Sequence, residues 1–204
     1  MTIRFHRGDL PADFRAGPSL AIDTETLGLN PHRDRLCVVQ LSVGDGSADV
    51  VQIVKDGPRP ENLIRVLGDE SVLKIFHFAR FDLAVLSHYL GVMPRPVYCT
   101  KIASRLTRTY TDKHGLKDLV RELLGVELSK QQQSSDWGAE TLTQAQLEYA
   151  ASDVLHLHAL KEKLDRALER ENRSRMAREC FNFLPTRAEL DLAGWPETDI
   201  FAHS

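Results

Sequence analysis

Three runs rich in β-branched residues, Ser19 to Glu25, Arg35 to Val43 and Asp49 to Val54, follow one another separated only by turn-rich segments such as LGLNPHRD and GDGSA. Parallel neighbours need a crossover of a dozen or more residues, so connectors this short leave antiparallel pairing as the economical solution. The expected unit is a three-stranded meander. A fourth run, Val72 to Phe78, leads straight into a helical pattern at Phe81 to Leu90. Further helical periods fall at Glu61 to Leu67, around Thr100 to Leu106, at Gly115 to Leu124 and from about Thr143 to Leu168. The sequence therefore predicts an α/β protein in which a mixed central sheet, part antiparallel meander, is flanked by helices.

In the long C-terminal pattern Leu157, Leu160, Leu164 and Leu168 form one apolar stripe, and LKEKLDRALERENRSR charges the other faces. From Phe181 onward helical period is lost, yet Phe181, Phe183, Leu184, Leu190, Leu192, Trp195, Ile200 and Phe201 remain apolar. That is too much apolar surface for a disordered tail. The expected organisation is one domain over residues 1–180 and an apolar segment over 181–204 that packs on the domain or on a neighbouring subunit.

A chain of 204 residues, 42% of them hydrophobic, can bury one sizeable core. Three cysteines without a CxxC spacing suggest neither a disulfide framework nor a structural zinc site. The N-terminal residues carry no apolar signal region and no run reaches a membrane-spanning length, so a cytoplasmic location and no membrane partner are expected. A net charge of −3 gives no broad electrostatic footprint for a long duplex. No GxGxxG follows the first strand pattern, which argues against a dinucleotide-binding dehydrogenase.

The stretch SLAIDTET ends a buried strand in two acids. Residues i and i+2 of a strand share a face, so Asp23 and Glu25 project together while Leu20, Ile22 and Thr24 point the other way. Two adjacent carboxylates repel unless a cation or a shared proton relieves them. Asp82 opens the helix after the fourth strand, where an acid could also simply favour the helix N-terminus. Tyr149 and Asp153, four apart, share a helix face, which alone could be an ordinary surface contact.

In this order, DTE, then FD at a helix start, then YxxxD in a late helix, the series resembles the three motifs of the DEDD 3′–5′ exonucleases, in the tyrosine-containing, ribonuclease D-like branch. The stretches DTETLGLNPHRDRLCVVQLS, KIFHFARFDLA, CTKIASRLTRTYTDKHGLK, SKQQQSSDW and DIFAHS extend the likeness to the nanoRNase C family of small exoribonucleases that clear very short RNAs. The resemblance implies a metal-dependent exoribonuclease acting on dinucleotides and oligoribonucleotides, with longer RNA or DNA 3′ ends as the alternative. A non-catalytic binding or assembly module is the remaining possibility, although none of the acids is missing.

The resemblance also assigns roles. Two divalent cations, Mg²⁺ or Mn²⁺, suit an all-oxygen site. Asp23 is expected to bridge both, Glu25 and Asp153 to serve one, and Asp82 to serve the other, in part through water. Tyr149 would orient or deprotonate the attacking water. Leu29, or alternatively Leu27, falls where related enzymes place an apolar wedge, and His77 could contact a terminal sugar or merely close the core. Thr24, Phe78, Lys101, Gln133, Ser135 and Trp137 complete the expected substrate contacts, Trp137 by stacking on a base. A closed ring of eight subunits is expected from the same family.

Overall fold

A computed structural model describes residues 2–129, 132 and 134–203. Six strands form one mixed sheet: β1 (Thr2–Arg7), β2 (Ser19–Thr26), β3 (Leu36–Ser42), β4 (Ser47–Gln52), β5 (Leu73–Phe76) and β6 (Val97–Cys99). Their spatial order is β1-β4-β3-β2-β5-β6. The meander is present, with β2 antiparallel to β3 and β3 antiparallel to β4. β5 and β6 add to β2 in parallel, and β1 joins β4 in parallel.

The helices are α1 (Glu61–Gly68), α2 (Ala79–Leu90), α3 (Thr100–Thr107), α4 (Leu116–Leu124), α5 (Gln144–Leu155), α6 (Leu157–Arg170) and α7 (Ser174–Leu192). Helix α5 lies over the meander and α2 and α7 pack together. The main core combines Leu20, Ile22 and Ile75 of the sheet with Leu83 and Leu86 of α2 and the leucine stripe of α6. A smaller cluster, Val38, Val50, Trp137, Leu142 and Ala150, sits beneath α5.

Four expectations change. The strands β1 and β6 carry no expected pattern, since β1 exposes most of its side chains and β6 is only three residues long. The third meander strand lies two residues earlier than its apolar run. The helix expected over 143–168 is two helices that meet at His156 (φ −101°, ψ −6°). The break lets α5 face the sheet while α6 turns its stripe of Leu157, Leu160, Leu164 and Leu168 toward α3 and α4.

The segment from Phe181 is helical as far as Leu192. Phe181, Leu184 and Ala188 are buried at i, i+3 and i+7, a helical period that Pro185 and the surrounding aromatics obscure in the sequence. This half of the expected tail therefore packs on its own domain. Beyond it Trp195, Ile200 and Phe201 are exposed, while Arg187 donates to the carbonyls of Trp195 and Pro196 and holds the turn that follows α7.

Candidate active site

Strand β2 sets Asp23 opposite Gln40 and Glu25 opposite Val38, on the face that α5 covers. Helix α5 begins at a capping box: Thr143 Oγ1 accepts from the Gln146 N–H at 3.3 Å, and the Thr143 N–H donates to Gln146 Oε1 at 2.9 Å. That start fixes the register that brings Tyr149 and Asp153 over the end of β2. Carboxylate oxygens of Asp23, Glu25 and Asp153 lie within 4.8 Å of one another.

Asp82 arrives from the other side. It belongs to the first turn of α2, is buried, and accepts a 2.7 Å bond from Thr24 Oγ1, the side chain that points away from the Asp23 and Glu25 face. Asp82 still raises the proton affinity of Glu25, so the four acids share one electrostatic site arranged as three and one.

Burial followed by repulsion from Asp23, Asp153 and Asp82 pushes Glu25 up to about 10. Burial pushes Asp23 up to about 7 against a bond from the Thr24 backbone. Asp82 and Asp153 are raised too, by burial and then by Asp23. Tyr149, beside Asp153, is raised by burial and then by that carboxylate. Among the described residues no Lys, Arg or His forms an ion pair with any of the four acids. Clustered, all-oxygen, half-buried or (for Asp82) buried, and without an ion-pair partner among the described residues, these side chains fit hard divalent cations.

Around the acids, exposed apolar groups form a rim. Leu29 is 85% exposed and Leu27 52%, so Leu29 is the freer of the two wedge candidates. A Cβ at Gly28, between them, would meet Asp34 Oδ2 at 2.3 Å and force the Asp34 side chain to move. Asp34 in turn accepts from the Asn30 N–H at 3.0 Å and holds the loop. Phe78 caps α2 in a left-handed conformation (φ 67°), rare for an aromatic residue and a backbone cost borne at the site. Lys101 Nζ stands 4.2 Å from the centre of its ring. His77 Nδ1 lies 2.9 Å from Thr100 Oγ1.

Two residues expected to contact substrate have buried side chains. Trp137 is 2% exposed in the small core beneath α5, with its ring centre 6.0 Å from that of Tyr149, so it backs the tyrosine and offers no face to a base. Thr24 is buried with its hydroxyl committed to Asp82, so its side chain orders a carboxylate. Ser135 is half-buried and its hydroxyl donates to Gln132 Oε1 at 2.6 Å; Gln133 lies outside the described residues.

Gln40 was not expected at the site. Fully buried, it donates from Nε2 to Asp23 Oδ2 at 3.2 Å, and its Oε1 has no partner among the described residues. A glutamine inside RLCVVQLSV could have signalled this, since a buried amide on a strand beside Asp23 needs a polar neighbour.

A sheet-borne acid pair is joined by acids from two helices, with a tyrosine one turn before the last, in the order that the sequence motifs predict. The sequence model of a family described as 3′–5′ exonuclease matches residues 8–169. Ribonuclease D of Granulibacter bethesdensis is 36% identical over 163 residues, which cover 78% of this chain and 40% of that protein. The chain thus spans about 40% of the length of such ribonuclease D relatives. Brucella melitensis NrnC with bound Mg²⁺ is 65% identical, with a TM-score of 0.96 and all of both chains covered. The same NrnC bound to pGG is 66% identical, again at 0.96 and full coverage. The chain belongs to the 3′–5′ exonuclease family, within the ribonuclease D-like group that includes NrnC.

Proposed function

We propose that the chain is a two-metal 3′–5′ exoribonuclease that degrades very short RNAs, down to dinucleotides, to nucleoside 5′-monophosphates. The observation that carries this reading is the trio Asp23, Glu25 and Asp153, with ligand oxygens within 4.8 Å and no ion pair to Lys, Arg or His among the described residues. The likeness to NrnC bound to pGG supports a short substrate.

Asp23 would bridge two divalent cations, Glu25 and Asp153 would hold one, and Asp82 the other. Such ions lower the pKa of water and neutralise charge on the transferring phosphate. Burial and then Asp153 raise Tyr149 in the metal-free chain, so with cations bound it would orient the attacking water, or deprotonate it only if the cations lower its pKa. Leu29 and Phe78 would pack against the terminal bases, and Lys101 would meet a phosphate. Residues 1–180 would carry the catalysis.

The segment after Leu192, with Trp195, Ile200 and Phe201 exposed, would lie in contacts of an eight-membered ring that limits access by long RNA. Light scattering is expected to give eight times 23.0 kDa; the mass of a single chain would refute the ring. Turnover of labelled RNAs of two, five and twenty nucleotides, with Mg²⁺ and with Mn²⁺, tests the substrate. Activity is expected to fall with length, and equal rates at all lengths would refute the short-substrate reading.

A further inference from the structure

We propose that the cavity between the β4–α1 connection and the C-terminal end of α2 is a second, non-catalytic site that binds a mononucleotide through its 5′-phosphate. The proposal rests on the exoribonuclease reading above, which supplies such a molecule as product, and adds a place where it binds apart from the acids.

The cavity encloses about 540 Å³, within the range of small-molecule sites. Its walls come from the start of β3, the loop over 53–60 and the last turn of α2. None of the four acids lines it, nor does Tyr149 or the apolar rim of the active site. Three cations do, Arg35, Lys55 and Arg59, against the single carboxylate of Asp56, which leaves an excess of two positive charges. On a chain whose net charge is −3, so local an excess needs a partner.

The cations are not spent within the fold. Arg35 and Lys55 form no ion pair among the described residues, and Arg59 has only a loose, exposed one with Glu61 at 3.6 Å. The Arg35 guanidinium donates to the carbonyls of Leu36, Ile53 and Gly138 at 3.3, 3.4 and 3.3 Å. Those bonds are long and go to neutral acceptors, so they hold the group at the wall without neutralising it. A phosphate oxygen would offer it shorter, charge-assisted bonds. Arg59 donates to the Leu90 carbonyl at 3.2 Å, which ties the loop to the end of α2.

Charge and shape then select the ligand. A phosphomonoester, with a second pKa of about 6, carries close to two negative charges at neutral pH, whereas each internal phosphate of RNA carries one. The excess of two positive charges matches the monoester. Tyr89 lines the same cavity, and its ring gives a base a surface on which to stack. Burial, followed by Asp34 and Cys37, raises its hydroxyl, which therefore stays protonated and can donate. Asp34 is itself paired with Arg33 and leaves the cavity cations free.

Calorimetry in EDTA tests the site, because without divalent cations the four acids repel a phosphate and only binding that cavity variants remove is counted. AMP should bind the wild-type protein, and adenosine or inorganic phosphate should bind at least about 10-fold more weakly, each lacking half of the contacts. Lys55→Ala/Arg59→Ala should raise the Kd for AMP at least about 10-fold, and Tyr89→Leu should bring AMP to the level of phosphate. Both cations are exposed, so the double variant should keep its Tm and its turnover of dinucleotides. Adenosine or phosphate binding as tightly as AMP, or unchanged AMP affinity in Lys55→Ala/Arg59→Ala, would overturn the proposal. A 10-fold fall in dinucleotide turnover by that variant would assign the cations to the substrate and overturn it too. If the double variant fails to fold, Lys55→Glu alone should raise the Kd for AMP, and an unchanged value refutes the site. Failure of the wild-type protein to cleave any RNA would count against the exoribonuclease reading, while calorimetry would still decide the cavity.

Discussion

Glu25→Gln should make the metal-free protein more stable, because the acid cluster stores its own repulsion. The folded state raises Glu25 to about 10 by burial and by the neighbouring carboxylates, so near neutrality the folded side chain holds a proton that the unfolded chain releases. The sign follows: this cost is absent below the ordinary glutamate range, grows as pH rises, and is complete only above the folded-state value. From the ordinary value of 4.5 to neutral pH, at about 1.4 kcal/mol per pH unit, it amounts to about 3 kcal/mol. Glutamine has the same shape and never takes up the proton.

For a chain of this length, about 3 kcal/mol corresponds to a rise of about 6 to 12 °C in Tm. The assay is thermal unfolding of wild type and Glu25→Gln in EDTA at neutral pH, at about pH 4, and with Mg²⁺. The variant should melt higher in EDTA at neutral pH and together with wild type near pH 4. With Mg²⁺ at about a hundred times its Kd, wild type should gain about 2.7 kcal/mol and the variant less. Equal melting temperatures in EDTA at neutral pH, or a difference that persists unchanged near pH 4, would refute the reasoning.

Gln40→Leu removes the donor to Asp23 and is expected to weaken Mn²⁺ binding about 10-fold, measured by electron paramagnetic resonance, with little change in the metal-free Tm because an unpaired buried oxygen goes with it. Tyr149→Phe should lower kcat about a hundredfold while metal affinity by calorimetry stays within a few-fold, since the hydroxyl acts on water and not on the cations. Arg80→Ala breaks a two-pronged pair with Asp191, at 2.5 and 2.7 Å, and the bond to the Pro196 carbonyl. It should cost about 1 kcal/mol in denaturant unfolding and speed proteolysis after Leu192.

Much of the arrangement was legible because two periods govern it. The strand period of two puts Asp23 and Glu25 on one face, and the helix period puts Tyr149 and Asp153 on another, so short motifs suffice to specify both. The meander was legible from connector length. The break at His156 was not, since it answers to which partner each half of an otherwise continuous pattern meets. Trp137 misled because a tryptophan in a polar loop looks exposed until α5 is laid over it. Gln40 was missed because an amide in an apolar strand looks like any buried polar group until its opposite number across the sheet is known.

Thr24 shows why the site needs the strand and not merely four acids. Its neighbours Asp23 and Glu25 face α5, and strand alternation turns its own side chain to the opposite surface, where α2 delivers Asp82. Three carboxylates therefore gather on one side, and the fourth accepts from the Thr24 hydroxyl and from backbone N–H groups on the other. The division does not insulate the acids, since burial and then Asp23 raise both Asp82 and Asp153. Dividing them keeps Asp82 close enough to raise Glu25 yet oriented by a donor of its own. The repulsion that lowers the stability of the metal-free chain is the same energy that a cation relieves, so the acids that most burden the empty fold are those that should bind most strongly.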